Sequence, residues 1–303
     1  MFIADTHSDT LYNMGCKGRT WADEMITPER LRQGGVTLQT FALWSGRYGI
    51  NGDYEGIAAG ELSAVPMLLE AGMKQVDDPA DAKEGELNFM LSLEGCEVFD
   101  KDIAQVAVWR EKGIRMGALT WNNENSIGTP AKLDQTKGLT AYGLRVVKEM
   151  QRLGMAVDTS HLSDAGFYDI YAKTDLPPLA SHSCCRALCN HFRNLTDDML
   201  RLMIRNGGYI GINFCPSFLS EDKHASCETI AEHIDHVCQL GGAANVGLGS
   251  DFDGIESTPV DFRHPGDTGN MIEALRRRGY KEQDIEGIMG RNLLAYYERI
   301  RVS

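Results

Sequence analysis

The chain has 303 residues, 43% of them hydrophobic, which is enough for one large domain or two ordinary ones. Its formal net charge of -13 argues against nucleic acid and anionic membranes as partners. No apolar run approaches the length of a membrane span, and the start, MFIADTHSDT, lacks the basic and long apolar regions of a signal peptide. These features predict a cytoplasmic protein with no membrane contact, whose eight cysteines are reduced, small buried residues.

Eight short apolar runs predict β-strands. They cover residues 2–4, 37–44, 88–93, 116–120, 155–158, 178–181, 209–214 and 246–250. Amphipathic helices are predicted between most of these runs, for example over 138–154 and 197–208, where apolar residues recur at helical spacing. Strands that alternate with helices indicate parallel pairing, and eight such units favour one α/β domain, a (β/α)8 barrel of the TIM type, over 1–303. A doubly wound sheet is the rival, but the Gly-rich dinucleotide turn is missing after the first strand.

Ionisable residues follow five of these predicted strands at their C-terminal ends. They are His7 and Asp9, Glu94, Asp158 and His161, His182, and Asp251 and Asp253. In a barrel these ends converge on one mouth, where active sites are built. Three histidines with several carboxylates are a ligand set typical of a metal site, although each residue alone also has an ordinary structural explanation. Two other histidines, His233 and His236, are predicted on a surface helix and are left out of the site.

Five motifs, in this order, resemble the membrane (renal) dipeptidase family of zinc peptidases, which have amidohydrolase-type barrels. They are DTHSDT, SLEG, DTSH, ASHS followed by RN, and GSDFDG. The similarity continues to the closing GRNLLAYYE and covers almost the whole chain. The resemblance implies two Zn²⁺ ions per chain at the mouth of the barrel. His7 and Asp9 would bind one ion, His161 and His182 would bind the other, and Glu94 would bridge them.

The resemblance also implies roles in catalysis. Arg193, in NHFRN, matches the arginine that binds the carboxylate of the substrate, and Asp251 matches the acid/base aspartate. A hydroxide shared by two metals would attack the peptide carbonyl, and Asp251 would move the proton. A free carboxylate held at a fixed distance from the metals implies short substrates, which predicts a dipeptidase. Tolerance of a D-residue at the C-terminal position and a homodimer are implied by the resemblance alone.

Two positions depart from the pattern of the family. Trp121, in ALTWNNEN, stands where the well-known dipeptidases have a histidine proposed to contact the reacting carbonyl, and Phe218, in CPSF, stands where they have a tyrosine. An indole N–H can still donate one hydrogen bond, whereas Phe218 can donate none. We therefore predict a retained metal centre and an altered substrate pocket. Two rivals stay open: another amidohydrolase-type hydrolysis at the same site, and a non-catalytic barrel that binds peptides.

Overall fold

The computed structural model describes residues 1–44, 53–100 and 102–301. Within these ranges the β-strands are β1 (Ala4–Asp5), β2 (Leu38–Trp44), β3 (Lys74–Gln75), β4 (Asn88–Glu94), β5 (Ile114–Ala118), β6 (Ala156–Asp158), β7 (Leu179–Ala180), β8 (Tyr209–Ile212) and β9 (Val246–Leu248). The α-helices are α1 (Thr10–Lys17), α2 (Pro28–Gln33), α3 (Tyr54–Leu62), α4 (Val65–Glu70), α5 (Gln105–Glu111), α6 (Ala141–Arg152), α7 (Asp164–Lys173), α8 (Asp197–Asn206), α9 (Pro216–Leu219), α10 (Cys227–Gln239), α11 (Thr268–Arg277), α12 (Glu282–Glu286) and α13 (Asn292–Arg299).

Short 3-10 turns cover Trp21–Asp23, Pro79–Asp81, Glu97–Phe99 and Pro265–Asp267, and a π-helical turn covers Gly287–Arg291.

Eight of the strands form a nearly closed parallel barrel with helices between them, which confirms the predicted (β/α)8 fold. Their order around the barrel follows the chain: β1, β2, β4, β5, β6, β7, β8 and β9. The first and last strands meet where Thr6 N–H donates to the Leu248 carbonyl at 3.2 Å and Asp9 N–H donates to the Phe252 carbonyl at 3.1 Å. The remaining strand, β3, pairs with β4 outside this path and was not predicted.

Each predicted apolar run overlaps one barrel strand, and six of the eight hydrogen-bonded strands are shorter than their runs. Both β1 and β7 have 2 residues, and β5 begins at Ile114, ahead of the predicted run. Every residue of β4 is buried, as expected for a parallel strand covered on both faces. The polar residues that follow the short strands therefore belong to the loops of the mouth.

The opposite end of the barrel is closed by an apolar cluster. The first residues of several strands point into it, including Leu38, Leu179 and Tyr209, and α13 contributes Leu293 and Tyr296. A larger apolar cluster fills the space between the strands and the surrounding helices. Because apolar packing closes the N-terminal end, the buried ionisable residues are concentrated at the C-terminal mouth.

The two helices named from the sequence are confirmed, with ends that differ by a few residues. Helix α6 begins after Thr140, whose hydroxyl accepts from Gly143 N–H at 2.9 Å. Helix α8 begins after Thr196, whose hydroxyl accepts from Met199 N–H, and it ends at Gly207 in the left-handed conformation. These hydroxyl caps and the glycine end satisfy backbone groups that the helices leave unpaired.

Two sequence predictions outside the barrel are wrong. His233 lies on α10 but is fully buried, where its Nδ1 accepts from Cys185 N–H and its Nε2 donates to the Leu219 carbonyl, both at 3.0 Å. All eight cysteines carry free thiols, but Cys16 is exposed and two others are half-buried, so they are not uniformly core residues. In the part of the chain that the structure describes, no helix has the length and apolar character needed to cross a membrane.

Candidate metal centre

The structure brings all five predicted metal ligands and Asp251 together at the C-terminal mouth of the barrel. His7 and Asp9 lie between β1 and α1, and Glu94 is the last residue of β4. His161 follows β6 and His182 follows β7. These six side chains come from the C-terminal ends of five different strands, so the barrel fold itself gathers them.

The two oxygens of Glu94 face two separate groups of donors. Its Oε1 lies 2.8 Å from His161 Nε2 and 3.6 Å from His182 Nε2, and these two nitrogens are 3.1 Å apart. Its Oε2 lies 3.7 Å from His7 Nε2. Donors that share one ion at about 2.0–2.2 Å each must lie this close to one another. The carboxylate therefore has the placement that a bridging ligand requires.

His7 stands at the centre of the second group. Its Nε2 lies 3.7 Å from Asp9 Oδ2 and 3.9 Å from Asp251 Oδ1. His7, Asp9 and Asp251 have donor atoms within 4.8 Å of one another, as do His7, Glu94 and His182. Asp251, predicted as the acid/base, is thus also close enough to these donors to be considered as a ligand.

Two buried atoms of this cluster have no hydrogen-bond partner among the residues that the structure describes. They are His7 Nε2 and Asp9 Oδ1. Asp9 occupies the position before α1 where a side chain usually caps the helix, but it makes no capping hydrogen bond. Buried polar atoms are costly without partners, and imidazole and carboxylate donors suit Zn²⁺ and related divalent ions. The donor set therefore fits a metal.

The electrostatics of the cluster agree with this fit. Burial lowers the pKa of His161 and of His182 well below the usual value, which keeps both imidazoles in the neutral form that binds metals. Burial also acts to lower the pKa of His7, but neighbouring carboxylates, Glu94 above all, raise it to about 10. The site thus attracts positive charge strongly.

Contacts at Nδ1 orient the rings of two of the histidines. His182 Nδ1 lies 2.7 Å from Ser181 Oγ, which in turn donates to the buried carboxylate of Asp158. His161 Nδ1 lies 3.2 Å from Asn122 Oδ1. These contacts leave both Nε2 atoms directed at Glu94, as the outer partners of metal-binding histidines do. Asp158, which the sequence places at a strand end, therefore supports a ligand and does not face the cluster.

Hydrogen bonds join the segment around β1 and α1 to the loop after β9. Asp5 accepts from Ser250 N–H at 2.8 Å and from His7 N–H at 3.3 Å. Asp253 accepts from Thr10 Oγ1 at 2.6 Å and also from Met25 N–H. Asp253 is therefore engaged in bracing the loop after β9, which explains why it does not join the donor cluster.

Two residues of the cluster, His161 and Asp251, have a left-handed backbone conformation. His161 has φ 67° and Asp251 has φ 64°, a region that costs a residue other than glycine about 1–3 kcal/mol. Gly254 is required nearby, because a Cβ at this position would lie 1.9 Å from Asp9 Oδ2. The backbone after β6 and β9 is thus strained where it presents the site.

A cavity of about 700 Å³ opens beside the cluster, and both Trp121 and Phe218 line it. Arg193 is 5% exposed, and its Cζ lies 5.7 Å from the centre of the Phe218 ring. Within residues 1–44, 53–100 and 102–301, its Nε and Nη2 have no hydrogen-bond partner. Trp121 packs edge-to-face on Trp44, with ring centroids 4.8 Å apart. Sequence reasoning missed Trp44, although it ends a predicted strand in the same way as Glu94 does.

The fold and the donor set together define a class of protein: a (β/α)8 barrel with a candidate two-metal centre at its mouth. A family model described as membrane dipeptidase (Peptidase family M19) matches residues 1–301. The chain belongs to this family of metallopeptidases.

Relatives and solved structures agree with this membership. An uncharacterized dipeptidase of Schizosaccharomyces pombe is 34% identical over 239 residues, which cover 75% of this chain and 58% of the relative. The solved structure of dipeptidase AC, a metallo peptidase of family M19, is 25% identical with a TM-score of 0.91, and the match covers 99% of this chain and 98% of that one. A metallo peptidase from Rhodobacter sphaeroides, liganded with a phosphinate mimic of the dipeptide L-Ala-D-Ala, is 24% identical with a TM-score of 0.90, covering 99% of both chains. The chain spans about half the length of the curated relatives it matches.

Proposed function

We propose that this protein is a dipeptidase that holds two zinc ions. His7 and Asp9 bind one ion, His161 and His182 bind the other, and Glu94 bridges them. The observation that carries the proposal is the placement of Glu94, whose Oε1 lies 2.8 Å from His161 Nε2 and whose Oε2 lies 3.7 Å from His7 Nε2. Family membership supports the use of a metal and the class of reaction.

The metals and Asp251 divide the chemistry between them. When bound, two zinc ions supply a polarised peptide carbonyl and a water whose pKa is lowered from about 15.7 towards 7. Asp251 takes the proton of the water and returns it to the leaving amine. Its Oδ2 accepts from Asn213 Nδ2 at 2.9 Å, which holds the carboxylate in place. In the metal-free site, burial raises the pKa of Asp251 to about 6.

Arg193 supplies the selection for short substrates. Its guanidinium is buried, and two of its nitrogens have no partner in the described chain. A planar guanidinium matches a free carboxylate with two parallel hydrogen bonds. The Rhodobacter sphaeroides protein, which shares this fold, is liganded with a phosphinate mimic of a dipeptide.

The proposal is tested by metal analysis combined with a substrate panel. Protein purified without chelator is expected to contain two equivalents of zinc and to hydrolyse dipeptides, including L,D-dipeptides, faster than tripeptides. Less than one equivalent of any transition metal after zinc addition would contradict the metal assignment. Faster hydrolysis of cyclic amides would favour another amidohydrolase-type reaction, and zinc binding without turnover of any substrate would favour a peptide-binding barrel.

The Arg193→Ala variant is expected to raise KM for dipeptides by at least about 30-fold, because loss of one partner of a buried charged pair costs roughly 2 kcal/mol or more. Arg193→Lys should recover only part of this loss, since lysine lacks the planar fork. Arg201→Ala is the control, because the exposed Arg201 on α8 pairs with Asp198 at 3.4 Å and does not line the cavity. The measurement compares dipeptides with their C-terminal amides. Equal cleavage of acids and amides by the wild type would show that Arg193 does not bind the substrate carboxylate.

Several further properties stay predictions. They are a single domain over residues 1–303, a cytoplasmic location, a homodimer, and acceptance of a D-residue at the C-terminal position. Sedimentation at micromolar concentration tests the homodimer, and the L,D-dipeptides of the panel test the stereochemistry.

A further inference from the structure

Three aromatic side chains form one wall of the cavity beside the metal centre. This aromatic wall consists of Tyr12, Trp44 and Trp121. The rings of Tyr12 and Trp44 are 4.6 Å apart and those of Trp44 and Trp121 are 4.8 Å apart, both pairs at an interplanar angle of 84°. The Trp121 ring lies 6.1 Å from the imidazole of His161. The wall therefore begins at the candidate metal centre and extends away from it.

Neighbouring groups hold the aromatic wall in place. The backbone N–H of Trp44 donates to Glu61 Oε1 at 2.7 Å, and Glu61 is fully buried. Tyr12 lies on α1 and is 7% exposed. Asn122, which follows Trp121 in the chain, contacts His161 at 3.2 Å. A surface fixed in this way costs little ordering entropy when a ligand binds to it.

Trp44 and Arg193 come from opposite sides of the barrel, and Trp121 comes from a strand between them. Trp44 ends β2 and Trp121 follows β5, and these strands flank β4, which carries Glu94. Arg193 follows β7, which is the fourth strand beyond β2 and the second beyond β5 in the order of the eight-stranded barrel. A dipeptide with its carboxylate on Arg193 and its peptide bond at the metal centre therefore extends its N-terminal residue towards the wall.

We propose that the aromatic wall is the subsite for the N-terminal side chain of the dipeptide and that it selects large apolar, above all aromatic, side chains. This inference rests on the proposed function, since Arg193 and the metal centre define the direction of the substrate. Aromatic rings pack favourably edge-to-face and offset on other rings, as the three rings of the wall already do. Trp121 is central to the selection because its ring lies 6.1 Å from the imidazole of His161.

A lysine at the outer end of the wall sharpens this selection. Lys17 Nζ lies 4.7 Å from the centre of the Tyr12 ring and donates to Asn13 Oδ1 at 2.8 Å. A cationic N-terminal side chain would bring a second ammonium or guanidinium group close to Lys17. Phenylalanine and tyrosine are therefore favoured over lysine and arginine at the N-terminal position of the substrate.

The experiment measures kcat/KM of the zinc-loaded protein for Phe-Ala, Tyr-Ala, Leu-Ala, Lys-Ala and Ala-Ala. Ala-Phe is the positional control, because it carries the same ring on the other residue. We expect Phe-Ala to exceed Ala-Ala by at least about tenfold, since even one methylene in an apolar pocket is worth roughly 10–200-fold. Ala-Phe should not share this advantage. Phosphinate analogues of Phe-Ala and Ala-Ala measure the same difference as binding, without turnover.

Variants assign the preference to the wall. Trp121→Ala and Trp44→Ala should each bring the ratio of kcat/KM for Phe-Ala to that for Ala-Ala towards one. Trp121→Phe keeps a ring and should retain most of the ratio, so it serves as the conservative variant if an alanine variant fails to fold. Trp21→Phe is the matched control, because Trp21 is half-buried and does not line the cavity. The zinc content of every variant is measured alongside.

The outcomes separate this inference from the function on which it rests. A lowered ratio in the alanine variants with unchanged zinc content supports the subsite. Hydrolysis of all dipeptides at similar kcat/KM, or a Phe-Ala to Ala-Ala ratio of kcat/KM that is unchanged in both alanine variants, overturns the proposed subsite. The proposal that the protein is a dipeptidase is unaffected by either result. Failure of the zinc-loaded protein to hydrolyse any dipeptide overturns both.

Discussion

The Glu94→Gln variant is expected to lose more than about 100-fold in zinc affinity, because even outer partners of metal ligands are worth roughly 10–100-fold. The substitution removes one negative charge that faces both imidazole groups, at 2.8 Å from His161 and 3.7 Å from His7. Glutamine also has only one carbonyl oxygen, so that it can face one group but not both. Hydrolysis of dipeptides should fall with the metal.

Zinc per chain after dialysis, followed by titration with a fluorescent zinc chelator, measures this loss. Glu61→Gln is the matched control, because Glu61 is also fully buried but its Oε1 accepts from the Trp44 N–H, a bond that glutamine can keep. The control should retain both ions. If Glu94→Gln also keeps two zinc ions at wild-type affinity, Glu94 does not bridge the metals.

The placement of the proposed metal ligands followed from the sequence, because the C-terminal ends of the strands in a parallel barrel are neighbours at its mouth. A residue that directly follows an apolar run, such as Glu94 or His182, needs no knowledge of loop conformation to be placed at the mouth. The same rule identified Asp253 as a mouth residue but could not show where its side chain points. That direction depends on the left-handed backbone at Asp251 and Asp253, which the residue types do not predict.

Contacts between distant loops were beyond sequence reasoning. Asn122 orients His161 from the loop after β5, and Asp158 at the end of β6 accepts from Ser181, the residue that contacts the ring of His182. The aromatic wall was missed because Trp44 alone looks like the end of a buried strand, and only its contacts with Tyr12 and Trp121 make it part of the cavity. His233 was misplaced because its burial depends on packing against Cys185 and Leu219 rather than on helical periodicity.

The Asp251→Asn variant is expected to keep both zinc ions and to lose about 10²–10⁴-fold in kcat, the usual contribution of a positioned acid/base. The amide matches the carboxylate in shape, and its oxygen can still accept the hydrogen bond from Asn213 Nδ2. It cannot take up a proton at neutral pH, so the transfer from the water to the leaving amine is lost. The fold and the donor groups on the other loops should be unaffected.

Zinc content and kcat must be measured on the same preparation, because Asp251 Oδ1 lies 3.9 Å from His7 Nε2 and belongs to a possible donor group with Asp9. Loss of one zinc ion in Asp251→Asn would make this carboxylate a ligand, since an amide oxygen is a weaker one. Full zinc content with kcat within about twofold of the wild type would exclude it as the acid/base, because that role is worth far more. Asp222→Asn, which changes an exposed carboxylate bonded to Ser220 and His224, is the control for the substitution itself. Full zinc content with a large loss of kcat in Asp251→Asn alone therefore assigns proton transfer to Asp251, because neither the metals nor the general effect of an amide accounts for it.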